Sequence, residues 1–155
     1  MSKTSCRSTL LLRRWHIMLG LPRQSPTRWY RDRLREELCE RRAATTYLQK
    51  LSETSDVLFS ISRALHDGFP MRQLPALSLR NAPAYLYMLA KYTSRWKFYR
   101  VAAKLCDAPR RESIREVINP DKDHKLLEVA LRHDIDPVAF KVAAGKLQRF
   151  WPLLP

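Results

Sequence analysis

Tyr85, Leu89, Tyr92, Trp96, Tyr99, Ala103 and Cys106 advance by steps of four and three in strict alternation. A strand repeats every two residues and a helix every 3.6, so this spacing predicts one long helix over 83–106 with a continuous apolar seam. Helix punctuation recurs elsewhere. Ser25-Pro26, Asn119-Pro120 and Asp136-Pro137 each put a capping side chain before a proline at the first helical position, where the missing N–H costs nothing. Asn81 before Pro83 is a looser version, and Gly68, after His66 and Asp67, is a stop signal. Helices are therefore expected at about 26–50, 54–66, 83–106, 112–118, 121–133 and 137–150, with Pro70 and Pro75 marking an extended linker at 68–82. No strand-like alternation lies between them. The expected fold is all-α, a small bundle of about five or six helices. Residues 25–155 are expected to form one helical domain behind a mobile basic N-terminal segment, 1–24.

A chain of 155 residues that is 45% hydrophobic can build a modest core. It has only three glycines, against roughly 11 at average usage. Glycine-rich loops that cradle phosphates or dinucleotides cannot be assembled from Gly20, Gly68 and Gly145. Cys6, Cys39 and Cys106 are odd in number and far apart, so neither a disulfide framework nor a zinc site is expected. The longest apolar run, 83–90, is too short to cross a bilayer.

The formal charge of +14 is not spread evenly. Residues 1–31 carry Lys3, Arg7, Arg13, Arg14, Arg23, Arg28 and Arg31 with no acid. Residues 68–106 carry Arg72, Arg80, Lys91, Arg95, Lys97, Arg100 and Lys104, again with no acid, and the remainder is balanced. Segregated cations point to a polyanionic partner or to targeting, so these mid-chain residues are the expected polyanion-binding set. Aromatics interleaved with cations could stack bases, as in single-strand binders, although a heptad-like seam more often fills a core. The helix at 26–50 is laced with i,i+4 pairs such as Arg33/Glu37 and keeps a narrow apolar stripe through Tyr30, Leu34 and Leu38.

The first block is rich in hydroxyls and arginine, and Leu11, Trp15 and Met18 recur at helical spacing. It resembles a mitochondrial transit peptide, the alternative being a basic arm. Trp29-Tyr30-Arg31-Asp32-Arg33-Leu34-Arg35 resembles the signature of the LYR-motif proteins, with Trp29 in place of the leading leucine. That resemblance covers residues 25–70. It implies a small mitochondrial helical bundle that binds acyl carrier protein, with Tyr30 and Phe59 lining an acyl-chain tunnel and Arg31 and Arg35 facing the acidic carrier. Residues 51–61 resemble a stretch of small uncharacterised fungal proteins, which brings no activity. Residues 128–141 resemble a helix-turn-helix, with Ala130, a turn at Asp134, Ile135 as plug, Asp136 as cap and a packed Phe140. Its second helix opens Pro137-Val138-Ala139, poor in groups that read base edges.

His16, His66, His124 and His133 show no metal-binding spacing, Asp121 and Asp123 read as helix-start carboxylates, and Ser60 and Ser62 lack a neighbouring base in the sequence. No catalytic residue, metal site or cofactor is expected. The expected function is that of a non-enzymatic, basic, mitochondrial-matrix helical protein binding RNA or an acidic protein, as an assembly factor or a subunit of a large complex such as a ribosome or respiratory complex. The alternatives are a LYR-type carrier-protein adaptor and a nuclear or cytosolic helix-turn-helix DNA-binding regulator. Peripheral membrane contact is left open.

Overall fold

The computed structural model describes residues 3–121 and 123–151, with side chains from Leu10 onward apart from Asp123. It is all-helical: α1 (Lys3–Leu19), α2 (Arg28–Ala43), α3 (Tyr47–His66), α4 (Ala82–Leu105), a 3-10 turn at Arg111–Ser113, α5 (Asp123–Arg132) and α6 (Pro137–Gln148). Among the described residues there is no strand. The chain forms two compact units, Met1–Leu89 and Ala90–Pro155, with the boundary inside α4.

In the first unit α1 and α2 each pack on α3. Leu34, Val57 and Ile61 form a core closed by Leu38, Met71 and Leu74, so the 68–82 linker contributes apolar cover as well as connection. Residues 10–19, expected as a mobile arm, are built into the unit: Leu12, Trp15, His16 and Leu19 are buried, and Trp15 meets the Phe59 ring edge-on at 6.0 Å. Burial of such side chains contributes about 1.5–3 kcal/mol each, which holds a helix that charge alone would leave loose.

The helix expected at 26–50 is broken. α2 ends at Ala43, and Thr46 caps α3 through a reciprocal capping box in which its side chain accepts from Gln49 N and the Gln49 side chain accepts from Thr46 N. Thr46 and Gln49 stand at the required spacing, so the signal was present. Ser25 caps nothing; α2 begins at Arg28 with Thr27 before it and no side-chain cap. The expected helix at 112–118 is only the short 3-10 turn followed by extended chain, which turns Ile114 and Glu116 inward. Asp136 behaves as expected, its carboxylate accepting from Val138 N and Ala139 N at 2.8 and 2.9 Å.

Three helices end alike. Phe69 N bonds Ala64 O, Ala108 N bonds Ala103 O and Ile135 N bonds Ala130 O, each a six-to-one closure across a residue of positive φ. That residue is Gly68 at the end of α3, but Asp107 (φ 51°) after α4 and Asp134 (φ 55°) after α5. An L side chain is strained there and glycine is not. Asp107→Gly and Asp134→Gly are each expected to stabilise the protein by about 0.5–1 kcal/mol, read as a rise in thermal midpoint.

The second unit has its core in Phe98, Tyr99, Ala102, Ala103, Ile114, Leu126, Val129, Ala130, Ile135 and Phe140. Tyr99 stacks on Phe140 at 6.4 Å, and Phe98 meets Trp151 edge-on at 5.7 Å. The aromatic seam of α4 therefore faces inward.

Candidate functional site

α4 buries more than the seam its sequence advertises. Ala84, Met88, Lys91, Arg95, Phe98 and Ala102 are also buried, at steps of four, three, four, three and four, on an adjoining line of the same helix. Two of the expected polyanion contacts lie on it: Lys91 is 2% exposed and Arg95 7%, the latter's guanidinium 5.7 Å above the Tyr92 ring. Arg100 is held by the Glu112 carboxylate and carbonyl and lies 4.6 Å above Trp96. In the second unit this leaves Lys97 and Lys104 exposed, seven apart on one helix face; in the first, Arg72 and Arg80 are exposed. The acid-free run is thus not a continuous outward stripe, because helix register sends part of it inside.

A better-formed cationic face lies on α2. Tyr30, Leu34 and Glu37 point inward, and Arg28, Arg31, Arg35 and Arg42, at steps of three, four and seven, fall on the opposite side. All four are exposed. Asp32 is shared between Arg28 (3.1 Å) and Arg35 (3.4 Å), so one carboxylate offsets part of a surplus that remains positive.

The helix is held in that orientation by its buried tyrosine. The Tyr30 hydroxyl accepts from Gln24 N at 2.9 Å and donates to Asp67 Oδ2 at 2.5 Å. Arg63 Nε donates to the same oxygen at 2.7 Å, while its Nη2 donates to Leu21 O and Pro22 O. Burial, then the bond to Asp67, raises the tyrosine's pKa and keeps the phenol protonated. The residues named by the LYR resemblance separate accordingly. Arg31 and Arg35 face outward; the ring neighbours of Tyr30 are Trp29 and Phe69, whereas those of Phe59 include Trp15 and His16.

Two further clusters, unmarked in the sequence, form against α3, one with α1 and one with α2. His16 and His66, fifty positions apart, stack at 5.1 Å, and His16 Nε2 lies 3.0 Å from Ser62 Oγ. These groups, with Arg13 and Leu12, Leu65 and Leu74, line a cavity of about 310 Å³. Ser62 also donates to Phe59 O at 3.0 Å. A hydroxyl has one proton, so with it committed there the histidine must donate to Ser62, the reverse of what a base activating a nucleophile does. Burial, with His66 and Arg63 nearby, pushes His16 down to about 3, leaving a neutral ring.

The second cluster is Glu37, Glu40 and Glu53, whose oxygens lie within 4.8 Å of one another. Such carboxylates suit a hard cation, but here the Arg33 guanidinium already sits against Glu37. Burial first, then Asp56 and Glu40, outweigh Arg33 and push Glu37 up to about 8.

In the second unit Glu116 accepts from Arg132 (2.5 Å) and contacts His133 Nε2 (3.3 Å), anchoring the extended segment to the end of α5. α5 and α6 pack as a helical hairpin with Ala130, Ile135 and Phe140 buried. The outward side of α6 carries Val138, Ala139 and Val142 together with the exposed Lys141 and Lys146, and Val138 is 74% exposed.

No protein-family model, no curated protein and no solved structure matches this chain. What the geometry defines is a class: a small all-α protein with a strongly basic exterior.

Proposed function

We propose that the chain is a non-enzymatic, mitochondrial helical protein that docks an acidic macromolecular partner through the arginine face of α2, as an assembly factor or a subunit of a larger complex. The observation that carries this reading is the row Arg28, Arg31, Arg35 and Arg42, exposed on one side of a helix whose other side is buried against α3. Exposed arginines on a rigid helix steer and orient an acidic surface more than they add affinity. Arg72, Arg80, Lys97 and Lys104 add to the positive field. Capture by the full chain from a mitochondrial extract, with mass spectrometry of what is retained, tests it. Arg31→Glu/Arg35→Glu is expected to weaken retention at least tenfold, and wild-type retention is expected to fall as salt rises. Equal retention by the double mutant counts against the proposal.

A narrower reading is favoured by one observation: Arg31 and Arg35 stand outside while the adjoining Tyr30 is locked inside, which suits the LYR-type carrier-protein adaptor. Titration with purified acyl carrier protein separates the two, since only the adaptor reading expects saturable binding. DNA reading by the α5–α6 hairpin has less support, because the first turns of α6 present Val138, Ala139 and Val142, which offer no donors or acceptors to base edges, and the exposed Lys141 and Lys146 suit phosphates rather than a sequence. If the chain enters mitochondria, the burial of Leu12, Trp15 and Leu19 favours retention of α1, and the mature N-terminus is expected before Leu10.

A further inference from the structure

α1 has two apolar sides. Leu12, Trp15, His16 and Leu19 are turned in, yet Leu10, Leu11, Ile17 and Met18 are 50%, 59%, 62% and 43% exposed. At about 100° per residue, Leu10, Arg14 and Ile17 fall within roughly 60° of one another on the outer side, flanked by Leu11 and Met18 on one edge and Arg13 on the other. Both arginines are exposed, and the first acid in the chain is Asp32. A helix apolar on both sides normally has neighbours on both. Here the inner side is occupied by α3, so the outer side is held open in a fixed orientation.

We infer that this outer face of α1 is a docking surface for an anionic lipid bilayer, with the helix lying in the plane of the headgroups. The chemistry selects the membrane over a protein. Helices that lie in the headgroup plane carry lysine or arginine beside leucine-type side chains, and here Arg14 stands between Leu10 and Ile17 with Arg13 at the edge. A headgroup layer accepts that mixture: leucine, isoleucine and methionine enter the acyl boundary while the arginine stems lie along them and the guanidinium groups reach lipid phosphate. The charge has one sign throughout this segment, matching an anionic leaflet. No helix among the described residues is long and apolar enough to cross a membrane, so contact would be along the surface. This surface is distinct from the α2 arginines and does not depend on what they bind.

Co-sedimentation of the full chain with vesicles tests it. Wild type is expected to bind phosphatidylcholine vesicles containing about one third phosphatidylserine, to ignore pure phosphatidylcholine, and to lose affinity as salt rises. Arg13→Gln/Arg14→Gln should weaken binding roughly thirtyfold and Ile17→Glu at least tenfold. Helix content by circular dichroism serves as the folding control, with Leu10→Ser as the second apolar variant should Ile17→Glu melt early. Wild type that stays in the supernatant overturns the inference, as does equal binding to neutral vesicles. So does a loss caused by Arg31→Glu/Arg35→Glu but by none of the α1 substitutions, which would transfer lipid binding to α2.

Discussion

Replacing Arg63 with Met is expected to destabilise the protein by about 3–5 kcal/mol, the largest single-site loss we foresee outside the apolar core. Arg63 is 4% exposed and serves three acceptors: Asp67 Oδ2, Leu21 O and Pro22 O. Methionine approximates the volume of the stem but donates nothing. The Asp67 carboxylate, 6% exposed, would keep only the Tyr30 hydroxyl, and the turn at residues 21–22 would lose its tie to α3. Breaking one side of a buried pair costs more than the pair itself contributes, because the abandoned charge stays out of water. Asp67→Asn keeps an acceptor for both donors but leaves the buried Arg63 charge without its partner, so it should cost nearly as much; losing a neutral hydrogen bond alone costs about 1–2 kcal/mol. Tyr30→Phe, which leaves Gln24 N and one lone pair of Asp67 unserved, should fall in that lower range. Denaturant unfolding followed by tryptophan fluorescence measures all three, and hydrogen exchange of α3 amides locates the loss. A cost below about 1 kcal/mol for Arg63→Met would mean that water replaces the guanidinium, and the network would not be what fixes α2.

That network also shows where sequence reading stops. Features set by a few adjacent residues were legible: the Asp136 cap, the stop at Gly68 and the inward seam of α4 all follow from local chemistry. The Thr46/Gln49 box is equally local, but the i,i+4 charge pairs that precede it, such as Arg33/Glu37, suggest one unbroken helix. The positive-φ aspartates were hidden because glycine is the usual signal at that position. Everything that joins distant segments was invisible: Tyr30 to Asp67, His16 to Ser62 and His66, and Glu37 to Asp56. The charge run was legible as composition but not as surface. Lys91 and Arg95 share a buried line with Ala84, Met88, Phe98 and Ala102, and only the second line of burial on α4 reveals it. Cations counted in sequence therefore overstate the cations available to a partner; the α2 face was implied by the stripe through Tyr30, Leu34 and Leu38, and the structure adds which arginines stay exposed.

Two buried groups of opposite character should give the protein a stability plateau between about pH 4.5 and 6.5, falling on both sides. His16 is depressed from 6.5 to about 3 by burial, with His66 and Arg63 adding to it. Between those values the unfolded chain binds more protons than the folded one, so stability rises with pH by about 1.4 kcal/mol per unit and is lost on acidification. Glu37 is raised from 4.5 to about 8 by burial and by Asp56 and Glu40, against the opposing pull of Arg33. There the folded chain holds the extra proton, and stability falls with pH by a similar slope until about 8. The two slopes cancel where they overlap. Below 4.5 the His16 slope is unopposed, while His66, whose pKa is also lowered by burial, adds a rise with pH immediately below 6.5 and tilts the upper end of the plateau. Above 6.5 the glutamate alone acts, for a loss of about 2 kcal/mol by pH 8. Glu37→Gln keeps the neutral shape and removes the titration, so it should abolish the alkaline limb and stabilise the protein by about 2–4 kcal/mol at pH 8, while leaving the acid limb in place. His16→Asn should do the converse, turning the plateau into a continuous decline from pH 4.5 to 8 and flattening the region below. Unfolding free energies from denaturant titrations at half-unit steps from pH 4 to 9 distinguish these cases. If Glu37→Gln follows the wild-type curve, the carboxyl is ionised in the folded protein, and Arg33 rather than burial governs it.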